Sequence, residues 1–100
     1  MNVSIKEQDG KMIAILAGSL DTAAAPETEK AMNPLNDVKG KDIIIDCTEL
    51  EYISSAGLRI FLGTLQNAEE NDSHVFIKGI NENVRTIFTI TGFSNIFQFI

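Results

Sequence analysis

Short apolar runs alternate along this chain with segments whose apolar residues recur every three or four positions. The runs at 12–17, 43–45 and 75–77 are typical of β-strands. The segment from Ala56 to Glu70 carries its apolar residues on one side, as an amphipathic helix does. Strands that alternate with helices favour right-handed crossovers and parallel pairing. We therefore expect an α/β fold in the order ββαβαβαβ, with a mostly parallel central sheet and the helices largely on one face.

The first part of the chain predicts a hairpin followed by a helix. Asp9 and Gly10 separate the first two strand-like segments and suit a tight two-residue turn. Asp21 or Thr22 can cap the helix that follows, because their side-chain oxygens accept hydrogen bonds from free backbone N–H groups. Pro34 should end or kink that helix, since proline has no N–H group to donate.

The middle of the chain predicts a buried strand and then the best-defined helix. The β-branched run Ile43–Ile45 is typical of a central parallel strand that is buried on both faces. This strand should end near Asp46. Ser54 or Ser55 then occupies the capping position of the helix that runs from Ala56 to Glu70.

The last third of the chain predicts a strand, a helix and a short final strand. The strand at Val75–Ile77 precedes a helix that Asn81 opens and Gly92 closes, and residues 96–99 form the last strand. The further side chains expected in the core are Cys47, Phe61, Leu62, Phe93, Ile96, Phe97, Phe99 and Ile100. For the C-terminal members of this set, a partner groove or a homodimer contact is the alternative.

Length and composition narrow the classes of function. One hundred residues allow a single domain, residues 1–100, and 44% hydrophobic residues can supply its core. The formal charge of −6 and the lack of a basic run disfavour nucleic acid as a partner. One cysteine, Cys47, and one histidine, His74, make neither a disulfide nor a zinc site. No apolar run approaches the ~20 residues of a membrane span. We expect a cytoplasmic protein without membrane insertion, metal or cofactor.

The scarcity of nucleophiles and bases also argues against an enzyme. A serine hydrolase places its nucleophile on a strand-to-helix turn in the pattern Gly-x-Ser-x-Gly, but Ile53 stands at the first glycine position. The base would have to be His74, and no acid is evidently placed to orient it. Gly40 and Lys41 likewise miss the spacing of a phosphate-binding loop. We therefore expect no catalytic residues.

The turn from Tyr52 to Leu58 is the segment that stands out. Folds of the α/β class present ligands and modifiable groups where a strand meets a helix. The free N–H groups at a helix N-terminus would partly stabilise a phosphate on a serine there, and Ala56 and Gly57 leave that backbone accessible. The alternative is that Ser54 or Ser55 is only a helix cap. Residue spacing alone leaves both interpretations open.

Three segments of the chain form a recognisable set: Gly18–Thr22 after the second strand, Ile45–Leu50 at the third strand, and Tyr52–Arg59 at the following turn. Together they resemble the STAS domain, as found in bacterial anti-sigma-factor antagonists. The resemblance runs in order over nearly the whole chain, and its element order agrees with the order derived above. It implies a single STAS-type domain.

The resemblance implies a regulator that switches partners under the control of phosphorylation. The unmodified protein would bind an anti-sigma-factor serine kinase of the histidine-kinase-like ATPase fold, which frees a sigma factor or another regulator. Phosphorylation would break that complex, and a serine phosphatase would reverse the modification. The alternative is also non-enzymatic, because isolated STAS domains serve as unphosphorylated subunits of cytoplasmic lipid-transport ATPase complexes.

The resemblance also implies which residues act. Alignment on the Gly-Leu pair at 57–58 makes Ser55 the phosphate acceptor, with Ser54 as the alternative. Many members of the family have an aspartate where Ser54 stands, so this turn lacks one charge. The partner-binding or phosphosite-supporting residues would be Asp21, Thr22, Asp46, Ser54, Ala56, Gly57 and Arg59. For Asp21, Asp46 and Arg59 the alternatives are a helix cap, a solvated strand-end carboxylate and a solvated first-turn arginine.

Overall fold

The computed structural model describes every residue from Met1 to Ile100, and five strands form one sheet in the order β1-β2-β3-β4-β5. The strands are β1 (Asn2–Gln8), β2 (Lys11–Leu20), β3 (Asp42–Ile53), β4 (His74–Lys78) and β5 (Gln98–Phe99). The helices are α1 (Ala25–Met32), α2 (Ser55–Glu70) and α3 (Glu82–Ile90), with short 3₁₀ helices at Asn33–Asp37 and Phe93–Asn95. β1 is antiparallel to β2 and every other neighbouring pair is parallel. The predicted α/β class and element order are confirmed.

The hairpin and the first helix form for the expected local reasons, with one difference at the cap. Asp9 and Gly10 both have positive φ, 54° and 77°, as a tight turn between antiparallel strands requires. The α-helical part of α1 ends at Met32, and the backbone tightens into a 3₁₀ helix around Pro34. The expected side-chain cap on α1 is wrong, because the carboxylate of Asp21 accepts a hydrogen bond from the N–H of Ala24, in the turn before the helix.

The helices cover one face of the sheet and leave the other open. Ile43 and Ile45 of β3 are fully buried, whereas Ile44 between them is only half-buried. The same alternation occurs in β4, where Phe76 is half-buried between two buried neighbours. The expectation that β3 is buried on both faces is therefore wrong. A continuous apolar run is typical of a strand with two covered faces, but here the helices pack against the same face of the sheet.

Aromatic side chains join α2, α3 and the C-terminal segment into one core. The ring of Phe88 on α3 lies 6.2 Å from Phe61 on α2, 5.9 Å from Phe97 and 5.6 Å from Phe99. These centroid separations lie in the range in which tilted and edge-on aromatic pairs are favourable. The C-terminal segment therefore closes the end of the core beside α3.

The expected core is confirmed only in part. Phe61, Phe97 and Cys47 are buried. Phe93, Phe99 and Leu62 are half-buried, and Leu62 lines a surface cavity instead of the core. Ile96 and Ile100 are 47% and 62% exposed, so their assignment to the core is wrong. β5 is a two-residue edge strand, and no element beyond it covers these two side chains.

The third strand is longer than the sequence indicated. It continues seven residues past its expected end at Asp46 and finishes at Ile53. The register against β2 shifts after Asp46, which marks a β-bulge with one extra residue on β3. The Asp46 carboxylate accepts hydrogen bonds from both the N–H and the hydroxyl of Thr48, at 3.0 and 2.6 Å. The polar residues Asp46 and Thr48, which are typical of a strand end, thus stabilise a bulge, and the strand continues beyond them.

Candidate functional site

The ends of β2 and β3 bring two turns together at one edge of the sheet. Leu20 pairs with Ile53 in the parallel register, and the N–H of Ser54 donates to the carbonyl of Leu20 at 2.8 Å. Asp21 follows Leu20 directly, so the turn into α1 and the turn into α2 lie side by side. The expected proximity of Asp21 to the serine turn follows from this strand pairing.

Ser54 is the cap of α2. Its side chain is 7% exposed, and its Oγ accepts a hydrogen bond from the N–H of Gly57 at 3.2 Å. Its carbonyl accepts from the N–H of Leu58 at 2.9 Å, which is the first backbone bond of the helix. Ser54 therefore satisfies a donor that the helix itself cannot satisfy.

Ser55 has a different environment although it is the next residue. It is the first residue of α2, its side chain is exposed, and its hydroxyl makes no hydrogen bond within the chain. The first turn of α2 contains no acidic residue. The fold thus uses one serine hydroxyl to cap the helix and leaves the adjacent one free in solvent.

Gly57 sets how closely α2 approaches the strand ends. It is buried, and a Cβ at this position would lie 2.7 Å from Cγ of Leu20 and 2.8 Å from Cγ1 of Ile53. Both distances are far below van der Waals contact, so any side chain here would push the helix away from the sheet. Gly57 therefore fixes the position of the serine turn by packing. Ala56 beside it is half-buried.

Asp21 and Thr22 form the second half of this edge. Both are exposed, and the Asp21 carboxylate accepts the N–H of Ala24 at 2.8 Å. Asp21 therefore carries a negative charge next to the serine turn while it holds its own turn in shape. The side chain of Thr22 makes no hydrogen bond within the chain.

The structure does not bring Asp46 to this edge. Asp46 pairs in register with Ile15 and Lys78 in the middle of the sheet, and six residues of strand, about 20 Å at the usual rise, lie between it and Ile53. The expectation that Asp46 lies at the end of its strand, near Ser55, is therefore wrong, because β3 continues past Asp46 to Ile53. Asp46 holds the bulge.

The environment of Asp46 explains its ionisation. Burial alone would raise the pKa of this carboxyl. The hydrogen bonds from the hydroxyl and N–H of Thr48 and the charges of Lys78 and Lys6 outweigh burial, so the pKa lies below its usual value of 3.8. The neighbouring Cys47 has the opposite character, because burial, together with the charge of Asp46, raises the pKa of its thiol to about 12. Cys47 is a neutral packing residue near neutral pH.

Arg59 lies one helical turn after Ser55 and is exposed on α2. Its side chain lines a shallow groove of about 300 Å³ between α1 and α2, together with Pro26 and Glu29. We call this the α1–α2 groove; its other lining residues are Ala25, Ala56 and Ile60. The sequence marked Arg59 but did not reveal this groove, because the two helices that form it meet only in the folded chain.

His74 lies at the opposite edge of the sheet. It is the first residue of β4 and pairs with Asp42, the first residue of β3, whereas Ser55 lies two residues beyond the last residue of β3. The serine and histidine of the hydrolase alternative therefore do not meet. No group of three or more histidine, cysteine, aspartate or glutamate side chains is arranged to hold a metal ion. No helix is long and apolar enough to cross a membrane.

Comparison with known proteins identifies the class of domain to which this fold, with its two turns after β2 and β3, belongs. The sequence profile of the STAS domain family matches residues 2–100. The chain therefore belongs to the STAS domain family, as the sequence segments indicated.

Individual relatives carry related names. The chain is 29% identical over 96 residues to the anti-sigma-B factor antagonist of Staphylococcus aureus. The aligned region covers 96% of this chain and 89% of that protein. The chain is 28% identical over the same shares to the anti-sigma-B factor antagonist of Staphylococcus epidermidis.

Solved structures show the same fold. An anti-sigma factor antagonist from Mycobacterium paratuberculosis superposes with a TM-score of 0.82 at 22% identity, over 98% of this chain and 83% of that one. The Bacillus cell fate determinant SpoIIAA in its phosphorylated form gives a TM-score of 0.72 at 16% identity, over 99% of this chain and 91% of that one. At these identities the likeness concerns the fold alone.

Proposed function

We propose that this chain is an anti-sigma-factor antagonist that works as a phosphorylation-controlled partner switch. The unphosphorylated chain binds an anti-sigma-factor serine kinase of the histidine-kinase-like ATPase fold, and this binding frees a sigma factor or another regulator. Phosphorylation of Ser55 blocks binding, and a serine phosphatase restores it. Membership of the STAS family and the names of the staphylococcal relatives support the proposal. The observation that carries it is the free, exposed hydroxyl of Ser55.

The structure favours Ser55 over Ser54 as the phosphate acceptor. In the transfer, a serine Oγ attacks the γ-phosphorus of ATP, ADP leaves, and a base of the kinase takes the hydroxyl proton. An acceptor must reach within hydrogen-bond distance of that base. The Ser55 hydroxyl is exposed and gives up no hydrogen bond within the chain. Ser54 is buried and would lose its cap, at a cost of about 1 kcal/mol.

Phosphorylation of Ser55 changes the charge of the surface without a reason to change the fold. The phosphate adds about −1.5 to −2 at neutral pH. The chain already carries a formal charge of −6, and Asp21 lies on the adjoining turn. Repulsion and the bulk of the phosphate weaken docking of the kinase on this edge. Because the hydroxyl is unbonded beforehand, we expect only small structural change in the domain.

The same geometry supports a binding module in place of an enzyme. His74, the only histidine of the chain, lies at the far edge of the sheet from Ser55. A cavity of about 440 Å³ lies between α2 and β4, where Leu62, Leu65 and Val75 line it, and it does not include the serine turn. The proposal places the chain in the cytoplasm, where the kinase and its regulator act, with no cofactor of its own.

Phosphate transfer tests the proposal directly. The wild-type chain, Ser54→Ala and Ser55→Ala are each incubated with ATP and the candidate serine kinases of the same genome, and intact mass is measured. We expect one phosphate on the wild type and on Ser54→Ala, and none on Ser55→Ala. Circular dichroism confirms that both variants are folded. If no kinase modifies Ser55 and Ser55→Ala keeps full function, the switch is wrong and the transport-subunit alternative gains support.

A further inference from the structure

Arg59 is positioned to meet a phosphate on Ser55. The two residues are four positions apart on α2, and both are exposed. Side chains four positions apart lie on the same face of a helix, and an anionic residue that precedes a cationic one at this spacing is the favourable order. Long helical side chains favour rotamers that point toward the N-terminus of the helix, so the side chain of Arg59 can extend toward Ser55.

The guanidinium of Arg59 has no anionic partner in the unmodified chain. The ion pair that the structure shows joins Lys41 and Glu7, at 2.7 Å. The other arginine of the chain, Arg85, stacks over the ring of Phe99 at 5.8 Å. Arg59 is thus the arginine whose charge the fold does not use.

The neighbouring carboxylates do not compete strongly for Arg59. Glu29 lines the same α1–α2 groove but makes no ion pair with it. Asp21 already accepts the N–H of Ala24. A phosphate on Ser55 carries more charge than any of these carboxylates and offers three oxygens to a guanidinium.

We propose that Arg59 binds the phosphate on Ser55 within the same chain. This inference rests on the proposed function and deepens its regulation. Phosphorylation then changes the surface around the serine turn in two ways. It adds negative charge at Ser55, and it withdraws the free positive charge of Arg59 from the α1–α2 groove. A kinase surface that used Arg59 as a contact loses that contact in the same event.

The ionisation of the phosphate measures this pairing. Phosphoserine is incorporated at position 55 during translation, so no kinase is needed, and the second phosphate pKa is followed by ³¹P NMR in the full chain. Pairing with Arg59 lowers this pKa, and Arg59→Gln should raise it by about 0.2–0.4 units, as expected for a helical pair at this spacing. Arg59→Lys should lie between the two. Arg85→Gln is the matched control and should equal the wild type.

The outcomes separate this inference from the proposed function. A phosphate pKa that is unchanged in Arg59→Gln overturns the pairing, even if a kinase modifies Ser55. A lowered pKa with no kinase able to modify Ser55 supports the pairing and counts against the switch. Circular dichroism of the unphosphorylated variants checks that Arg59→Gln leaves the helix intact, so a shift cannot come from unfolding.

Discussion

Two strand-to-helix connections in this fold cap their helices in the same way, but the first turns of the two helices differ. Between β3 and α2 a single residue, Ser54, caps the helix by accepting the N–H of Gly57. Between β4 and α3 the cap is Asn81, which accepts the N–H of Val84 at 2.8 Å. Asn81 also donates from its Nδ2 to the carbonyl of Leu50 at 3.1 Å, which ties that connection to β3.

The two first turns differ in charge. Glu82 stands in the first turn of α3 and permanently complements the positive end of its dipole. The first turn of α2 has no acidic residue, and an exposed, unbonded serine occupies its first position. One connection is electrostatically complete when the chain folds. In the proposed switch, the other connection gains its negative charge only when Ser55 is phosphorylated.

The largest expected effect comes from breaking the packing under the serine turn. Gly57→Val should destabilise the chain by about 2–3 kcal/mol, because its side chain would overlap Leu20 and Ile53. The matched control is Gly63→Ala on the same helix, where a Cβ would meet nothing within 4 Å. Because alanine has a higher helix propensity than glycine, this variant should be more stable than the wild type by up to ~1 kcal/mol. Denaturant unfolding measures both. Equal stability of the two variants would contradict the packing role of Gly57.

The loss of stability on replacing each side chain by alanine should follow the number of hydrogen bonds that the side chain makes. Asn81→Ala loses the cap and leaves the Leu50 carbonyl unpaired, so we expect a loss of about 2 kcal/mol. Ser54→Ala should cost about 1 kcal/mol and Ser55→Ala close to nothing. Urea unfolding of the three variants gives the ranking. A Ser55→Ala variant as unstable as Ser54→Ala would contradict the assignment of the Ser55 hydroxyl as unbonded.

Charge in the first turn should act in opposite directions at the two helices. Ser55→Asp adds the missing acid to α2 and should stabilise it by about 0.5 kcal/mol, whereas Glu82→Gln should destabilise α3 by a similar amount. Both effects should shrink in high salt, because exposed charges are screened. Thermal unfolding at low and high ionic strength tests this. Effects that are insensitive to salt would contradict an electrostatic origin.

The smallest expected effect concerns an acceptor that titrates. Asp46 accepts a backbone N–H as the two caps do, but its folded pKa lies below the usual 3.8. A lowered folded pKa contributes stability at pH values above the unfolded pKa, and this contribution is lost as pH falls through the folded pKa. Between about pH 6 and pH 2, Asp46→Asn should therefore lose less stability than the wild type. Parallel pH profiles of the free energy of unfolding would contradict this.

Local signals allowed the serine turn to be predicted from the sequence, because capping and helical periodicity depend on neighbouring residues. The α2 boundaries, the capping position and the Asn81 cap of α3 follow from such patterns. The choice of Ser55 over Ser54 as the phosphate acceptor rests on the family resemblance alone, because either serine can cap the helix by spacing. The strand-end contact with Leu20 then shows which one is buried.

Features that depend on distant parts of the chain were the ones missed. The bulge at Asp46 is defined by the pairing of β3 with β2, so the sequence around Thr48 does not by itself show that the strand continues. The open face behind Ile44 depends on which side the helices choose, and a continuous apolar run does not reveal that choice. The position of Asp46 was wrong for this reason, whereas that of Asp21 was right because β2 and β3 end together.

Binding of the anti-sigma-factor kinase from the same genome tests the central claim most directly. Isothermal titration compares the unmodified chain with chains that carry phosphoserine at position 55 or, as a matched control, at Ser4, which is exposed on β1. We expect phosphate at Ser55 to weaken binding at least about a hundredfold, or ~2.7 kcal/mol, and phosphate at Ser4 to leave it nearly unchanged. Equal affinity of the unmodified and Ser55-phosphorylated chains would contradict the account.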